Sequence, residues 1–189
     1  STKGDLTTPT RPEGPYVTFF RVPVLNADEA KAQAQFAYDT LKAKKAFVVF
    51  DTDDYGKDLA AEFQKSFKAE GGEIVGTPAG YEKKTTDFKS IIANIKAAKP
   101  DVIYQAGFYA EATPFLQQLR AAADLKSIPY IGGDGIKNDE LLSGAAANTR
   151  APMGEGPLFT VFASLSMPQA SLSALIRDTT KAGGVVVFR

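Results

Sequence analysis

Short apolar runs that end in polar residues alternate with stretches of helical periodicity between residues 45 and 143, a rhythm that predicts an α/β fold. The run Lys45–Asp51 (KAFVVFD) has the unbroken apolar character of a strand buried on both faces, so the sheet is expected to be mostly parallel with helices on both sides. The intervening stretches place their apolar residues on one helical face.

Each element follows from local signals. Residues 1–15 are polar and rich in Pro and Gly, as in a loop or frayed tail. Residues 16–21 (YVTFFR) read as a short edge strand whose pairing Pro23 limits. An Ala-rich amphipathic helix is expected over 26–42, starting at Asn26 or Asp28 with Phe36 and Leu41 inward. After the strand Lys45–Asp51, residues 55–71 form a helix with Leu59, Phe63 and Phe67 inward and Gly71-Gly72 as its stop. Residues 73–77 (EIVGT) read as a second strand, and 86–98 as a helix that buries Phe88, Ile91, Ile92 and Ile95 before Pro100. A third strand (101–105), a helix (110–123) with Phe115, Leu116 and Leu119 inward, and a short strand (129–131) come next. A brief helix over 136–143 is expected to be capped near Asp134. Right-handed βαβ connections turn this order into a flavodoxin-like, doubly wound sheet.

The composition changes after Arg150. Residues 151–157 (APMGEGP) form a turn, 158–163 (LFTVFA) a strand, 167–182 a helix ended by Gly183-Gly184, and 185–188 a last strand. Both runs are apolar on each face, so residues 158–189 are expected to complete the same sheet within one domain spanning 1–189.

Composition narrows the function. The 189 residues, 44% of them hydrophobic, suit one folded domain and exclude intrinsic disorder. Lys+Arg and Asp+Glu balance at 22 each, which argues against a nucleic-acid partner. Cys and His are absent, excluding disulfides, thiolate metal sites and Ser–His or Cys–His catalysis. No apolar run reaches the roughly 18 residues of a membrane span, so no membrane insertion is expected. The start Ser-Thr-Lys-Gly, without an initiator Met or apolar signal core, reads as processed or engineered.

Three segments carry a resemblance. KKAFVVFDTDDYGKDLAAEFQKSFKAEGGEIVG, TTDFKSIIANIKAAKPDVIYQAGFYAEATPFLQQLRAA and PYIGGDGIKNDELL resemble type I periplasmic solute-binding proteins, specifically the branched-chain amino-acid receptors of ABC importers. The resemblance runs over about residues 16–150 and covers one lobe of a two-lobed receptor whose ligand sits in the cleft between lobes. The other lobe, with its Ser/Thr loops for the amino-acid carboxylate, is not represented. The tail LFTVFASLSMPQASLSALIRDTTKAGGVVVFR resembles the start of the thioredoxin-like TrbC proteins of conjugative pilus assembly. Ser166-Met167-Pro168-Gln169 stands where a thioredoxin has Cys-x-x-Cys, so redox chemistry does not carry over. Together the two resemblances imply an engineered chimera of periplasmic parentage, without a signal peptide.

Candidate residues gather at strand ends, where open α/β sheets bind ligands. The resemblance implies that Tyr55 faces the ligand and that Glu111 offers its carboxylate to a ligand ammonium; Asp134 lies near the same cleft. Plainer roles stand beside these: Tyr55 stapling a helix start, and Glu111 stabilised by a helix dipole. Asp51, Asp53 and Asp54 suggest a Mg²⁺ site of a receiver-like or enzymatic domain, or else caps for the helix beginning near Tyr55. Gly132-Gly133-Asp134-Gly135 lacks the Lys-Ser/Thr of a phosphate loop and reads as a strand-to-helix turn. Phe19, Phe20, Phe47, Phe50 and Phe63 are assigned to the core.

The leading expectation is therefore a receptor lobe that binds a small amino acid weakly or not at all, with no cofactor and no catalysis. A Mg²⁺-dependent flavodoxin-like enzyme and a natural conjugative-transfer assembly protein are the alternatives.

Overall fold

A computed structural model describes residues 24–138 and Leu141. Five strands lie in one parallel sheet: β1 (Lys45–Asp51), β2 (Glu73–Ile74), β3 (Ala79–Tyr81), β4 (Val102–Ala106) and β5 (Tyr130–Gly132). The order is β2-β1-β4-β5, with β3 on the same edge of β1 as β2. Helices α1 (Asn26–Gln35), α2 (Asp54–Ala69), α3 (Lys89–Ala98) and α4 (Tyr109–Ala121) complete the described fold. The doubly wound, flavodoxin-like expectation is correct.

Strand alternation builds two cores. Ala46 and Val48 of β1 join Val102, Tyr104 and Ala106 of β4 on the face covered by α1 and α2. Phe47, Val49 and Ile103 face the opposite side, under α3 and α4. On the first face the Phe63 and Tyr104 rings stack at 3.7 Å, with Phe67 continuing the stack at 5.6 Å. Leu59, Phe63 and Phe67 are fully buried, as their spacing predicts. Gly71, at φ +94°, donates its N–H to Lys68 O, and Gly72 donates to Phe67 O. This pair of bonds closes α2 in a Schellman turn, and glycine takes the left-handed position at no steric cost.

Several boundaries differ from expectation. The helix expected over 26–42 gives way after Gln35 to a π-helical turn, Phe36–Thr40, with Lys42 at positive φ. The strand expected over 73–77 ends at Ile74, because the chain bends at Gly76 (φ +71°) and Pro78. It rejoins β1 as β3, so one edge is built from two pieces. Residues 86–88 precede α3 and are held by Gln118, which accepts the Phe88 N–H at 3.0 Å and donates to Thr86 O at 2.7 Å. In place of a helix starting at 136 there is a short 3-10 turn, Asp134–Ile136; Leu141 is helical and buried. Phe50 is half-buried, beside the core and not within it. The expectations for residues 1–21, with Phe19 and Phe20, and for 150–189 lie outside the described residues.

Phe63→Ala is expected to cost about 3–5 kcal/mol, the range for deleting a buried aromatic ring. Urea denaturation followed by circular dichroism measures it, and a cost below about 1 kcal/mol would show the stack to be dispensable.

Candidate functional site

The C-terminal ends of β1, β3, β4 and β5 share one rim because the sheet is parallel. An open groove of about 430 Å³ lies there, lined by Thr52, Asp53, Asp54, Tyr55, Lys83 and Phe108. Tyr55 is in the first turn of α2, and Phe108 immediately precedes α4. Their rings meet at 5.1 Å between centroids. At 37% relative exposure, Phe108 is the one large hydrophobic side chain exposed among the described residues. An apolar ring left open at a strand-end groove is a surface suited to an aliphatic or aromatic ligand group.

Tyr55 and Asp134 are in direct contact. The Tyr55 hydroxyl donates to Asp134 Oδ1 at 2.7 Å and accepts the Gly135 N–H at 3.2 Å. Burial, then the negative charges of Glu29 and Asp134, push the Tyr55 hydroxyl well above its ordinary pKa, so it stays protonated as a donor. The glycines of 132–135 permit this closeness. A Cβ on Gly135 would sit 2.6 Å from Gly107 O and 3.2 Å from both the Tyr55 and Phe108 rings. The segment is a tight turn packed against Tyr55, as its lack of phosphate-loop chemistry implies.

Glu111 is in the first turn of α4 but only 6% exposed, and its Oε1 accepts the Lys84 N–H at 2.8 Å. It thus ties α4 to the loop after β3. Lys83, next along that loop, forms an ion pair with Asp53, and its ammonium lies 5.9 Å from the Phe108 ring. The hydrogen bond and charge of Asp53 raise the Lys83 pKa.

The three aspartates do not converge. Asp51 is 1% exposed, and its Oδ1 accepts the Asp53 N–H at 3.0 Å and faces the Gly56 amide. Asp53 turns to Lys83, while Asp54 is exposed. Among the described residues no group of three acidic, His or Cys side chains is placed to hold a metal ion. Of the three aspartates expected as caps, Asp53 takes the N-cap position of α2 without a side-chain cap bond, and Asp51 accepts the Asp53 N–H just ahead of the helix. Burial raises the Asp51 pKa above the usual carboxylate value.

A buried polar chain escaped the sequence analysis. Glu29, 1% exposed on α1, accepts the Asp134 N–H at 2.7 Å and Gln33 Nε2–H at 2.8 Å. Gln33 accepts the Tyr104 hydroxyl at 2.6 Å and donates to Gly132 O at 3.3 Å. On the other face, Gln105 donates to the Tyr81 hydroxyl at 2.7 Å and accepts from Tyr130 at 2.5 Å. Glu29 and Gln33 are one helical turn apart, but a polar pair on an Ala-rich helix looks like a solvated face until a strand end covers it. Phe108 and Lys83 were missed because each sits in a loop without periodicity.

With this geometry in view, a model of the family described as "Periplasmic binding protein" matches residues 4–185. The chain belongs to the periplasmic binding protein family. It is 30% identical over 148 residues to the Leu/Ile/Val-binding protein of Citrobacter freundii, covering 77% of this chain and 37% of that protein. The Leu/Ile/Val-binding protein of Escherichia coli (strain K12) matches with the same identity and coverage. A leucine binding protein from Thermotoga maritima superposes with a TM-score of 0.61 at 28% identity, over 66% of this chain and 35% of that one. The branched-chain amino acid substrate binding protein LivJ of Streptococcus pneumoniae, solved with isoleucine, gives 0.62 at 25% identity, over 84% and 43%. This chain thus spans about 37% of the length of its curated relatives. No helix of the described residues is long and apolar enough to cross a membrane.

Two outcomes are expected from the site. Tyr55→Phe removes both hydroxyl bonds of a half-buried ring and is expected to cost about 1 kcal/mol of stability in urea denaturation. Glu29 is pushed up to about 8 by burial and by the Asp134 charge, from 4.5. The folded chain therefore keeps a proton that the unfolded chain has lost, and this group's contribution to stability declines as pH rises from about 4.5 to about 8. Glu29→Gln is expected to flatten that decline; an identical pH profile would contradict it.

Proposed function

We propose that this chain provides one lobe of a periplasmic receptor for a branched-chain amino acid, feeding an ABC importer, and has no catalytic activity. The observation that carries the reading is the exposed Phe108 ring set against Tyr55 at the strand ends, with the Glu111 carboxylate on the adjoining helix turn. An aliphatic side chain would lie on the two rings. Glu111, behind the groove lining and with Oε1 held by the Lys84 N–H, would have Oε2 left to meet the ligand ammonium through a charge-assisted hydrogen bond. Asp134, whose Oδ1 is engaged by Tyr55, would act by orienting that ring. The relatives that bind Leu, Ile and Val by name support this ligand class. The periplasm is the compartment that the family supports.

The family match continues through residue 185, across the 150–158 boundary. This supports one family for the tail as well, in preference to a grafted TrbC-like segment and an engineered chimera. The separation of Asp51, Asp53 and Asp54 disfavours the Mg²⁺-dependent alternative.

The groove is one open wall. In two-lobed receptors, hinge closure buries the ligand between two walls, and a single wall leaves ion pairs in water, where they contribute about 0–1 kcal/mol. The 189-residue polypeptide by itself is therefore expected to bind leucine, isoleucine or valine no tighter than about millimolar, about −4 kcal/mol. Chemical-shift titration with leucine tests both site and strength. Shifts should centre on Tyr55 and Phe108 and weaken in Phe108→Ala and Glu111→Ala. Shifts confined to other surfaces would overturn the site. A micromolar constant lost in Glu111→Ala would show that this lobe carries a complete site.

A further inference from the structure

We propose that Glu29, which lies outside the groove, is a positioning residue of the binding wall: it holds the Asp134 backbone, and through Asp134 the Tyr55 ring, in the orientation that meets ligand. The inference rests on the reading of the groove as a ligand wall. Its geometry does not.

Glu29 Oε1 accepts two donors, the Asp134 N–H at 2.7 Å and Gln33 Nε2–H at 2.8 Å. Gln33 also reaches Gly132 O, so α1 grips the turn on both sides of Gly133. A Cβ on Gly133 would lie 2.9 Å from Tyr55 Oη and 3.3 Å from Glu29 Oε1, which shows how closely the three are packed. Asp134 then receives the Tyr55 hydroxyl, and Tyr55 meets Phe108. A single relay thus runs from a helix on one face of the sheet to the rings of the groove.

The relay depends on the charge of Glu29. Among the described residues the groups facing it are Gln33 on its own helix, Tyr104 of β4, Tyr55 of α2 and Asp134 of the turn, and none of these is a cation. Its Oε2 is buried without a hydrogen-bond partner. An ionised carboxylate here would be desolvated and opposed by Asp134, and these two effects raise its pKa to about 8. Below that pH the neutral acid accepts both N–H groups without repelling Asp134. Above it the two carboxylates repel, the turn shifts and the Tyr55 ring loses its anchor.

The test uses the 189-residue chain with ¹³C-labelled tyrosine rings, followed by NMR from about pH 6 to about pH 9. The Tyr55 ring signals are expected to move with a midpoint near 8, and to stay still at their low-pH positions in Glu29→Gln. Asp134→Asn, which keeps the turn but removes the opposing charge, is expected to lower the midpoint. Leucine-induced shifts should weaken several-fold between about pH 6.5 and about pH 8.5 in the native chain, but not in Glu29→Gln. Ring signals that never titrate, that titrate equally in Glu29→Gln, or whose midpoint is unmoved by Asp134→Asn would overturn the proposal. If leucine fails to bind at any pH the receptor reading fails, while the ring titration still decides the role of Glu29.

Discussion

Strand β1 is the constraint on which the rest of the described structure depends. It pairs with β2, β3 and β4, and its side chains are buried alternately against helices on both faces. A parallel strand in this position has no solvated face, so its sequence is apolar until it reaches the rim. There the chain must admit polar groups, and Asp51 is the first. Its Oδ1 accepts the Asp53 N–H while its Oδ2 is buried without a partner, and that bond ties the end of β1 to the residues that present Tyr55.

The polar groups left inside follow the same logic. A buried polar side chain costs free energy unless it is hydrogen-bonded. Gln105 of β4 is bracketed by the Tyr81 and Tyr130 hydroxyls, and on the opposite face Tyr104 is joined to Gln33. Arg120 donates to Leu125 O, Lys126 O and Ile128 O, holding the connection between α4 and β5, and burial lowers its pKa to about 10. The Gln105 and Gln33 bonds join strands and a helix across the sheet, and the Arg120 bonds fix the opposite end of β5 from the groove.

The groove combines a packed apolar part with an exposed charged part. Tyr55 and Phe108 are fixed by α2, by the turn after β5 and by the start of α4. Lys83 and Asp53 lie at the open side, each about half exposed, so their ion pair is worth little and exchanges readily with water or ligand charge. For the proposed binding role, preorganised rings would give shape and exposed charges adjustable polarity.

The sequence alone determined the fold class and most of the two cores. Leu59, Phe63, Phe67, Phe88, Phe115 and Leu119 could be assigned inward because burial of one helical face leaves a period in the chain. Tyr55 and Glu111 could be singled out by the family resemblance, and Asp134 by its turn at a strand end, where a parallel sheet gathers its rim. Only the tertiary structure decided which of them touch, that Asp51 accepts the Asp53 N–H ahead of α2, and that the edge beside β1 is built in two pieces. It alone brought Glu29 and Gln33 under the turn after β5, more than 90 residues away in sequence. The reason is physical: periodicity records burial along one element, whereas a hydrogen bond between distant elements leaves no local pattern until the chain has packed.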